Sequence, residues 1–329
     1  VKFLIAGFGS IGRRHLRNLR ALGQEDIVLL RSHHSTLPDD EIAGLPVETS
    51  IEAALAHQPD AVIVANPTAL HLDVAIPAAR AGCAILLEKP VAHNLESLPA
   101  LREAVREGGA RVLVAFQFRF HPTLIRACQL LQEGAIGQPL SARAHWGEYL
   151  PNWHPWEDYR QGYAARADLG GGVILTLSHP FDYLRMLLGE VQELWATAGR
   201  AGLQLDVEDT AEIVLRFASG AIGSVHLNYL QQPPAHTLEI VGSSGSLRWN
   251  NADGALAVFR AKDQTWHTEA PPEDFERNWL FMDEIRNLLA VARGEAAPAC
   301  TLEDGIRALE IAVRALESCA DGSKKMLLG

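Results

Sequence analysis

VKFLIAGFGSIG, residues 1–12, decides the fold. An apolar run from Phe3 to Ala6 feeds straight into Gly7-Phe8-Gly9-Ser10-Ile11-Gly12, and a helical pattern begins at once. A buried parallel strand that ends in glycines and opens a helix has a physical use. Gly7 permits the tight turn, Gly9 lets backbone approach a pyrophosphate, and Gly12 lets the helix pack close to the strand. The free N–H groups of the first helical turn, at Ser10 and Ile11, and the helix dipole then face the phosphates. The spacing and its context on both sides predict a dinucleotide-binding turn.

Working outward, strand-like apolar runs recur at 26–30, 60–65, 83–87 and 111–116, with a minor strand at Pro46-Val47-Glu48. Helical patterns at 11–22, 51–57, 68–81 and 94–107 fall between them. Such alternation predicts an α/β fold with a doubly wound parallel sheet, helices on both faces and right-handed crossovers. After Phe120-His121-Pro122 the texture changes. A helix at 123–133 is followed by period-two stretches at 140–147, 191–198, 211–217, 221–230 and 236–241. In two of them one face carries Ala211, Ile213, Leu215 and Phe217, or Val225, Leu227 and Tyr229. The other face carries Glu212, Val214 and Arg216, or Ser224, His226 and Asn228. A sheet with one buried and one polar face is open and mostly antiparallel. Gly242-Ser243-Ser244-Gly245 marks a turn, and two helices, at 274–292 and 302–319, close the chain. Two domains are expected: 1–120 for the dinucleotide, and 121–329, an α+β domain for substrate binding and oligomerisation.

The 329 residues, 48% hydrophobic and 21% charged, suit a soluble globular protein with two sizeable cores. A net charge of −11 with no compensating basic block excludes nucleic acid and anionic membrane as partners. No apolar run is long enough to span a bilayer, and the glycine turn ends the start too early for a signal peptide. Cys83, Cys128, Cys300 and Cys319 are scattered, without a CxxC or a histidine at zinc-ligand spacing. They suit a reducing, cytoplasmic compartment, and no metal is expected.

The chemistry lies where strands end, because open parallel sheets bind ligands at their carboxyl edges. Strand 60–65 ends in Asn66-Pro67-Thr68, with His71 early in the next helix. Strand 83–87 ends in Glu88-Lys89-Pro90, and strand 111–116 in Gln117-Phe118-Arg119-Phe120-His121-Pro122. A further element, Gly170-Gly171-Gly172 leading to His179-Pro180-Phe181-Asp182, lies in the second half. Hydride removal from a secondary alcohol needs a base for the hydroxyl proton and a cation for the developing oxyanion. Lys89 can supply the cation, and His179, titrating near neutrality, can be base in one direction and acid in the other. Glu88 either contacts a cofactor ribose or pairs with a nearby cation; His71 is either structural or a site contact. Arg119 is a polar site residue or an ordinary loop residue.

Cofactor choice sits at the end of the second strand. An acid about 20 residues beyond the glycines would hold the ribose 2′-hydroxyl of NAD. Here the strand runs into Arg31-Ser32-His33-His34. An arginine and a hydroxyl suit a 2′-phosphate, so NADP is favoured over NAD; Arg13 either assists or is solvated, and Arg17 and Arg20 belong to a solvated face. Residues 146–168 are dense in rings: Trp146, Tyr149, Trp153, His154, Trp156, Tyr159 and Tyr163, with Arg160 and Arg166. Ring faces stack on sugar C–H faces, and guanidinium groups contact hydroxyls or phosphates. Trp153, Tyr159 and Arg160 are therefore candidate substrate contacts, with loop packing the other reading of Trp153 and Trp156.

Taken in order, the glycine turn, Glu-Lys-Pro, the glycine triplet and His-x-x-Asp resemble the glucose–fructose oxidoreductase/inositol dehydrogenase/MocA family of NAD(P)-dependent sugar and polyol dehydrogenases. The resemblance covers nearly the whole chain. It implies a Rossmann domain paired with an α+β domain whose open sheet commonly joins subunits, hence a homodimer or homotetramer. It also implies Lys89 as the catalytic lysine, His179 as the proton-transfer residue, Gly7, Gly9 and Gly12 at the pyrophosphate, and the 66–71 turn along the cofactor. Many members carry an Asp one turn before the histidine. Here that slot is Thr176 counted from the glycines, or Leu175 counted back from His179; neither holds a charge. Asp182, three residues after His179, is the substitute that could orient the imidazole. The expected activity is hydride transfer with a sugar, polyol or nucleotide sugar. The stretch YLPNWHPWEDYR resembles that of members acting on amino or nucleotide-activated sugars. The alternatives are a cofactor-sensing regulator without turnover and a glycosidase that holds NAD.

Overall fold

The structure, a computed structural model, describes residues 1–32, 40–200 and 202–329. The chain opens with β1 (Phe3–Ala6), α1 (Ser10–Ala21), β2 (Ile27–Leu30), β3 (Val47–Glu48), α2 (Ile51–Ala56), β4 (Ala61–Val64), α3 (His71–Arg80), β5 (Ala84–Leu87), α4 (Leu98–Gly108) and β6 (Arg111–Val114). The six strands form one parallel sheet in the order β3-β2-β1-β4-β5-β6. β1, β4 and β5 are buried at every residue, as their unbroken apolar runs require of strands covered on both faces. Strand order reverses between β1 and β4, so the loops after these two strands, at Gly7 and Asn66, flank the switch point.

Next come α5 (Pro122–Gln132), β7 (Pro139–Tyr149), α6 (Val173–Thr176), α7 (His179–Leu188), β8 (Val191–Gly199), β9 (Thr210–Phe217), β10 (Ile222–Asn228), β11 (Leu230–Gly242), β12 (Gly245–Asn250), β13 (Leu256–Arg260) and β14 (Thr265–Glu269). With β15 (Met326–Leu327) they make a nine-stranded sheet in the order β14-β13-β12-β11-β7-β10-β9-β8-β15, antiparallel except where β7 meets β10. Ala211, Ile213, Leu215 and Phe217 are buried on one face, while Glu212, Val214 and Arg216 on the other are exposed. Across the β9–β10 ladder Val214 stands beside Ser224 and Arg216 beside Ile222, so these share the open face. Asn228, placed on that polar face by its period, is buried and donates to Gln231 Oε1 at 3.3 Å.

Two helices complete the chain, α8 (Asn278–Ala292) and α9 (Leu302–Ala320). The first compact unit holds residues 1–117 together with 277–306, the second 118–276 together with 307–329. A single division near residue 120 would have given α8 to the second domain. Instead its apolar stripe (Leu280, Phe281, Ile285, Leu288) packs on β4, β5, β6 and α1 of the parallel-sheet unit. That stripe needs an apolar surface, and the flank of the parallel sheet provides it.

Candidate functional site

In the first unit the glycine turn has the geometry its spacing predicts. Gly7 has φ +92°, and a Cβ there would lie 2.5 Å from the Asn66 backbone nitrogen. A Cβ on Gly12 would strike the carbonyl oxygen of Gly7, so helix and turn are packed without room for a methyl group. Gly9, the residue before α1, faces open space instead. No acidic side chain occupies the first turn of α1, leaving its positive end uncompensated, with Ser10 exposed and Ile11 half-buried.

At the end of β4, Asn66 Nδ2 donates to Leu70 O at 2.8 Å; Pro67 is half-buried and Thr68 buried. His71 opens α3, with Nδ1 2.9 Å from Pro90 O and Nε2 3.1 Å from Asn66 O. Burial pushes its pKa down, so the ring is neutral and donates to one of the two. The imidazole thus ties the β4 loop to the β5 loop. In that second loop Glu88 Oε1 lies 2.8 Å from His15 Nε2 of α1, both side chains being buried. Lys89, half-buried, precedes Pro90 through a cis peptide bond.

Beyond β2, Arg31 is buried and Ser32 exposed; His33 and His34 lie outside the described residues. The Arg13 guanidinium sits 4.4 Å from the Phe8 ring centroid and that of Arg31 5.9 Å from it. Arg13 is therefore not solvated, and its Nε and Nη2 are buried without a hydrogen-bond partner among the described residues. The sequence gives no hint of Glu41 as a companion. Its carboxylate lies 3.6 Å from Arg13 Nη1 and takes two hydrogen bonds from Arg17 at 2.5 and 2.8 Å. Arg17 holds that carboxyl below the usual range. Arg20 donates to Glu41 O at 2.9 Å.

In the second unit Gly170 and Gly172 have φ +78° and +104°, and a Cβ on Gly172 would collide with the Glu208 carboxylate. Glu208 Oε1 accepts from Ile174 N at 3.1 Å, anchoring the start of α6, and burial pushes its pKa up. His179, buried, opens α7 inside a cage of rings. Phe118 meets it edge-on at 5.0 Å and Trp146 lies tilted 33° at 5.4 Å. Trp146 in turn stacks on His236 at 4.3 Å, and the Tyr183 hydroxyl lies 3.2 Å from His236 Nε2. His236 carries no signal in the sequence beyond its place on a strand. His121 stacks edge-on against Trp249 at 5.2 Å, and burial lowers its pKa to about 4.

Asp182 receives Arg119, with Nε at 2.9 and 3.1 Å and Nη2 at 2.7 Å. Asp182, the candidate for orienting the imidazole, is also the counter-ion of this guanidinium. Thr176 is buried, its hydroxyl beside that of Tyr229. Among the aromatic-loop residues, Trp153 packs edge-on against Tyr229 at 5.7 Å. Arg160 is exposed, over the Tyr159 ring at 4.5 Å and 3.5 Å from Asp158, and Trp156 is 63% exposed. Among the described residues no group of three or more His, Cys, Asp or Glu could hold a metal ion.

Two family models match the chain. One describes an oxidoreductase family with an NAD-binding Rossmann fold, over residues 1–116; the other the GFO/IDH/MocA C-terminal domain, over residues 124–248. Levoglucosan dehydrogenase of Pseudarthrobacter phenanthrenivorans is 31% identical over 257 residues, 67% of this chain and 64% of that one. Myo-inositol 2-dehydrogenase of Thermotoga maritima is 26% identical over 339 residues, 95% of each chain. A solved structure of levoglucosan dehydrogenase in complex with NADH superposes with a TM-score of 0.89 at 24% identity, covering 100% of this chain and 99% of that one.

Proposed function

Because the chain belongs to the GFO/IDH/MocA oxidoreductase family, we propose that it moves a hydride between a nicotinamide cofactor and a secondary alcohol or ketone carbon of a sugar, polyol or nucleotide sugar. The observation that carries this reading is the Gly7–Gly9–Gly12 turn at the switch point, with Lys89 in the loop after β5. Gly9 leaves open space before a helix whose N-terminus has no acidic residue, which fits a pyrophosphate. Ser10 and Ile11 offer backbone N–H groups, and Asn66, Pro67 and Thr68 border the same switch point. When bound, the nicotinamide supplies the hydride acceptor or donor.

Each residue has its own task. Lys89 steadies the oxyanion that develops on the reacting carbon. His179 takes the hydroxyl proton during oxidation and returns it during reduction. Its ring packs against Phe118 and Trp146, which limits the planes the imidazole can take. Arg119 and Asp182 form a neutral pair, and Trp153, Tyr159 and Arg160 are the substrate contacts of this reading. His71 and Glu88 act by shaping the loops after β4 and β5. Preference for NADP is supported by Arg31 and by Arg13, whose two unpartnered nitrogens suit a 2′-phosphate.

The open sheet face carries Trp195, Val214, Ile222 and Val241 among charged neighbours, the last three 39–48% exposed. This supports a homodimer or homotetramer built on that face. No described helix is long and apolar enough to cross a membrane, and the four cysteines are free thiols, which supports a cytoplasmic place for the enzyme. A thermal-shift screen of NAD, NADP and a panel of sugars, polyols and nucleotide sugars, followed by absorbance of the reduced nicotinamide, tests the whole reading. Stabilisation by cofactor with a rise or fall in absorbance on one sugar class is expected. Cofactor binding without turnover on any of them overturns it.

A further inference from the structure

The open face of the nine-stranded sheet carries a closed polar network. His145 of β7 and His226 of β10 are partners in register, and their rings stack 4.8 Å apart at 13°. His226 Nδ1 lies 2.5 Å from Glu212 Oε1 of β9, and its Nε2 lies 3.0 Å from Asn228 Nδ2. Asn228 Nδ2 also donates to Gln231 Oε1 at 3.3 Å, and His145 Nε2 lies 2.6 Å from that same oxygen. The amides fill the space beside β7: a Cβ on Gly147 would lie 2.2 Å from Gln231 Oε1 and 2.6 Å from Asn228 Nδ2.

A backbone group sets the protons in this network. Leu230 N–H donates to Asn228 Oδ1 at 3.0 Å, and a backbone N–H can only donate. The amide oxygen of Asn228 therefore faces Leu230, and its nitrogen faces His226 and Gln231. His226 Nε2 then accepts, so the ring is neutral, with its proton on Nδ1 and given to Glu212. His145 Nε2 donates to Gln231. Along the same face Thr237 of β11 stands beside His145 and Thr197 of β8 beside Glu212. The other charges there are Arg143 of β7, beside Glu239 of β11, and Arg216 of β9, 3.3 Å from Glu193 of β8.

Asn228 and Leu230 flank Tyr229, which joins β10 to β11, and the aromatic loop is tied to Tyr229. Its carbonyl accepts from Leu150 N at 3.1 Å, its ring meets Trp153 edge-on at 5.7 Å, and its hydroxyl donates to Ala164 O at 3.3 Å. The Ala164 carbonyl also accepts from Gly172 N at 2.9 Å, so the corner reaches the glycine triplet.

We propose that Asn228 is a positioning residue for the aromatic loop, and that it holds the corner only while His226 is neutral. A second proton can enter His226 only at Nε2, where it meets the Asn228 N–H donor against donor. Either Asn228 is pushed off, or its amide turns and sets its nitrogen against Leu230 N–H; both weaken the corner. An imidazole takes up its proton between about pH 5 and 8, so the loop is held at neutral pH and loosened in mild acid. The consequence for substrate rests on the reading of Trp153, Tyr159 and Arg160 as substrate contacts; the latch itself does not.

The test is hydrogen–deuterium exchange of the whole protein across about pH 5–8, without substrate or cofactor, read by mass spectrometry on peptides covering 149–172. After correction for the intrinsic rate, loop protection should fall about fivefold in acid, the worth of one neutral hydrogen bond, while β9 keeps its own. In His226→Gln, whose side chain can accept from Asn228 and never charges, loop protection should stay flat. Wild-type protection that does not change, that falls equally in β9, or that falls as far in His226→Gln overturns the proposal. In the wild-type protein, where folding is not in question, exchange at the imidazole carbon reads each histidine separately. The loop should loosen with the midpoint of His226, and any other midpoint overturns the proposal as well. A loop that loosens in a protein that turns over no sugar would sink the dehydrogenase reading alone. A loop indifferent to pH in an active dehydrogenase would sink this inference alone.

Discussion

Arg119 and Asp182, 63 residues apart in the chain, close on each other through hydrogen bonds of 2.7–3.1 Å, with the aspartate side chain 1% exposed and the arginine side chain 13%. Removing Arg119 takes from the buried Asp182 carboxylate the guanidinium that neutralises it. Arg119→Ala should cost on the order of 3–5 kcal/mol in urea unfolding. Replacing both residues together with apolar ones of similar volume (Arg119→Met, Asp182→Leu) should cost much less. Equal losses in the single and double variants would show that the pair contributes packing rather than charge neutralisation.

Lys89→Ala should lower kcat by roughly 10²–10³, the scale for one lost oxyanion donor. His179→Ala should lower it by roughly 10²–10⁴, as for a lost general acid–base. Both variants should bind NAD(P)H as the parent does, because the glycine turn is untouched. Near-native turnover in both would defeat the assigned chemistry.

Arg31→Ala and Arg13→Ala should each weaken NADPH by about 1.5–3 kcal/mol, the worth of a hydrogen bond to a charged group, and leave NADH little changed. Fluorescence titration of the four protein–cofactor pairs reads this directly. NADH binding tenfold tighter than NADPH to the parent would contradict the preference.

His121 is depressed to about 4 in the folded protein against 6.5 when unfolded. The unfolded chain therefore binds the extra proton first. The stability this ring contributes is present above pH 6.5 and is lost as pH falls through the window toward 4, on the order of 3 kcal/mol in all. His121→Phe should flatten the pH dependence of unfolding across that window. An unchanged slope would mean that other groups dominate acid unfolding.

Light scattering at micromolar concentration should give two or four times 35.9 kDa. Val214→Glu or Ile222→Glu, each a charge on the open sheet face, should shift the mass toward that of one chain. A parent protein that is already monomeric would end the proposal that this face joins subunits.

The parallel sheet was legible because its central strands β1, β4 and β5 are buried at every residue and leave unbroken apolar runs; the edge strand β3, half-buried and two residues long, shows only as Val47-Glu48. The open sheet was legible only where one face is buried. β14 is exposed along nearly its whole length, so it has no alternation to detect, and β12 and β13 beyond the Gly242–Gly245 turn alternate over only a few residues each. The tight turn after β1 could be derived from glycine spacing, since Gly7 and Gly12 are constrained by local sterics. Glu41, His236 and Glu208 could not, because each gains its role from a partner distant in sequence: Arg13, Trp146 and Gly172.

The return of residues 277–306 to the first unit bears on how the protein is made. A ribosome releases residues 1–117 early, but the helix that covers the flank of β4, β5 and β6 emerges only after the second unit has been synthesised. Between residue 117 and residue 306, at about 5–20 residues per second, roughly 10–40 s pass with that apolar flank uncovered. The nascent parallel sheet passes this interval with an apolar flank that α8 has yet to cover, and a gene fragment ending near residue 120 would leave it in that condition permanently.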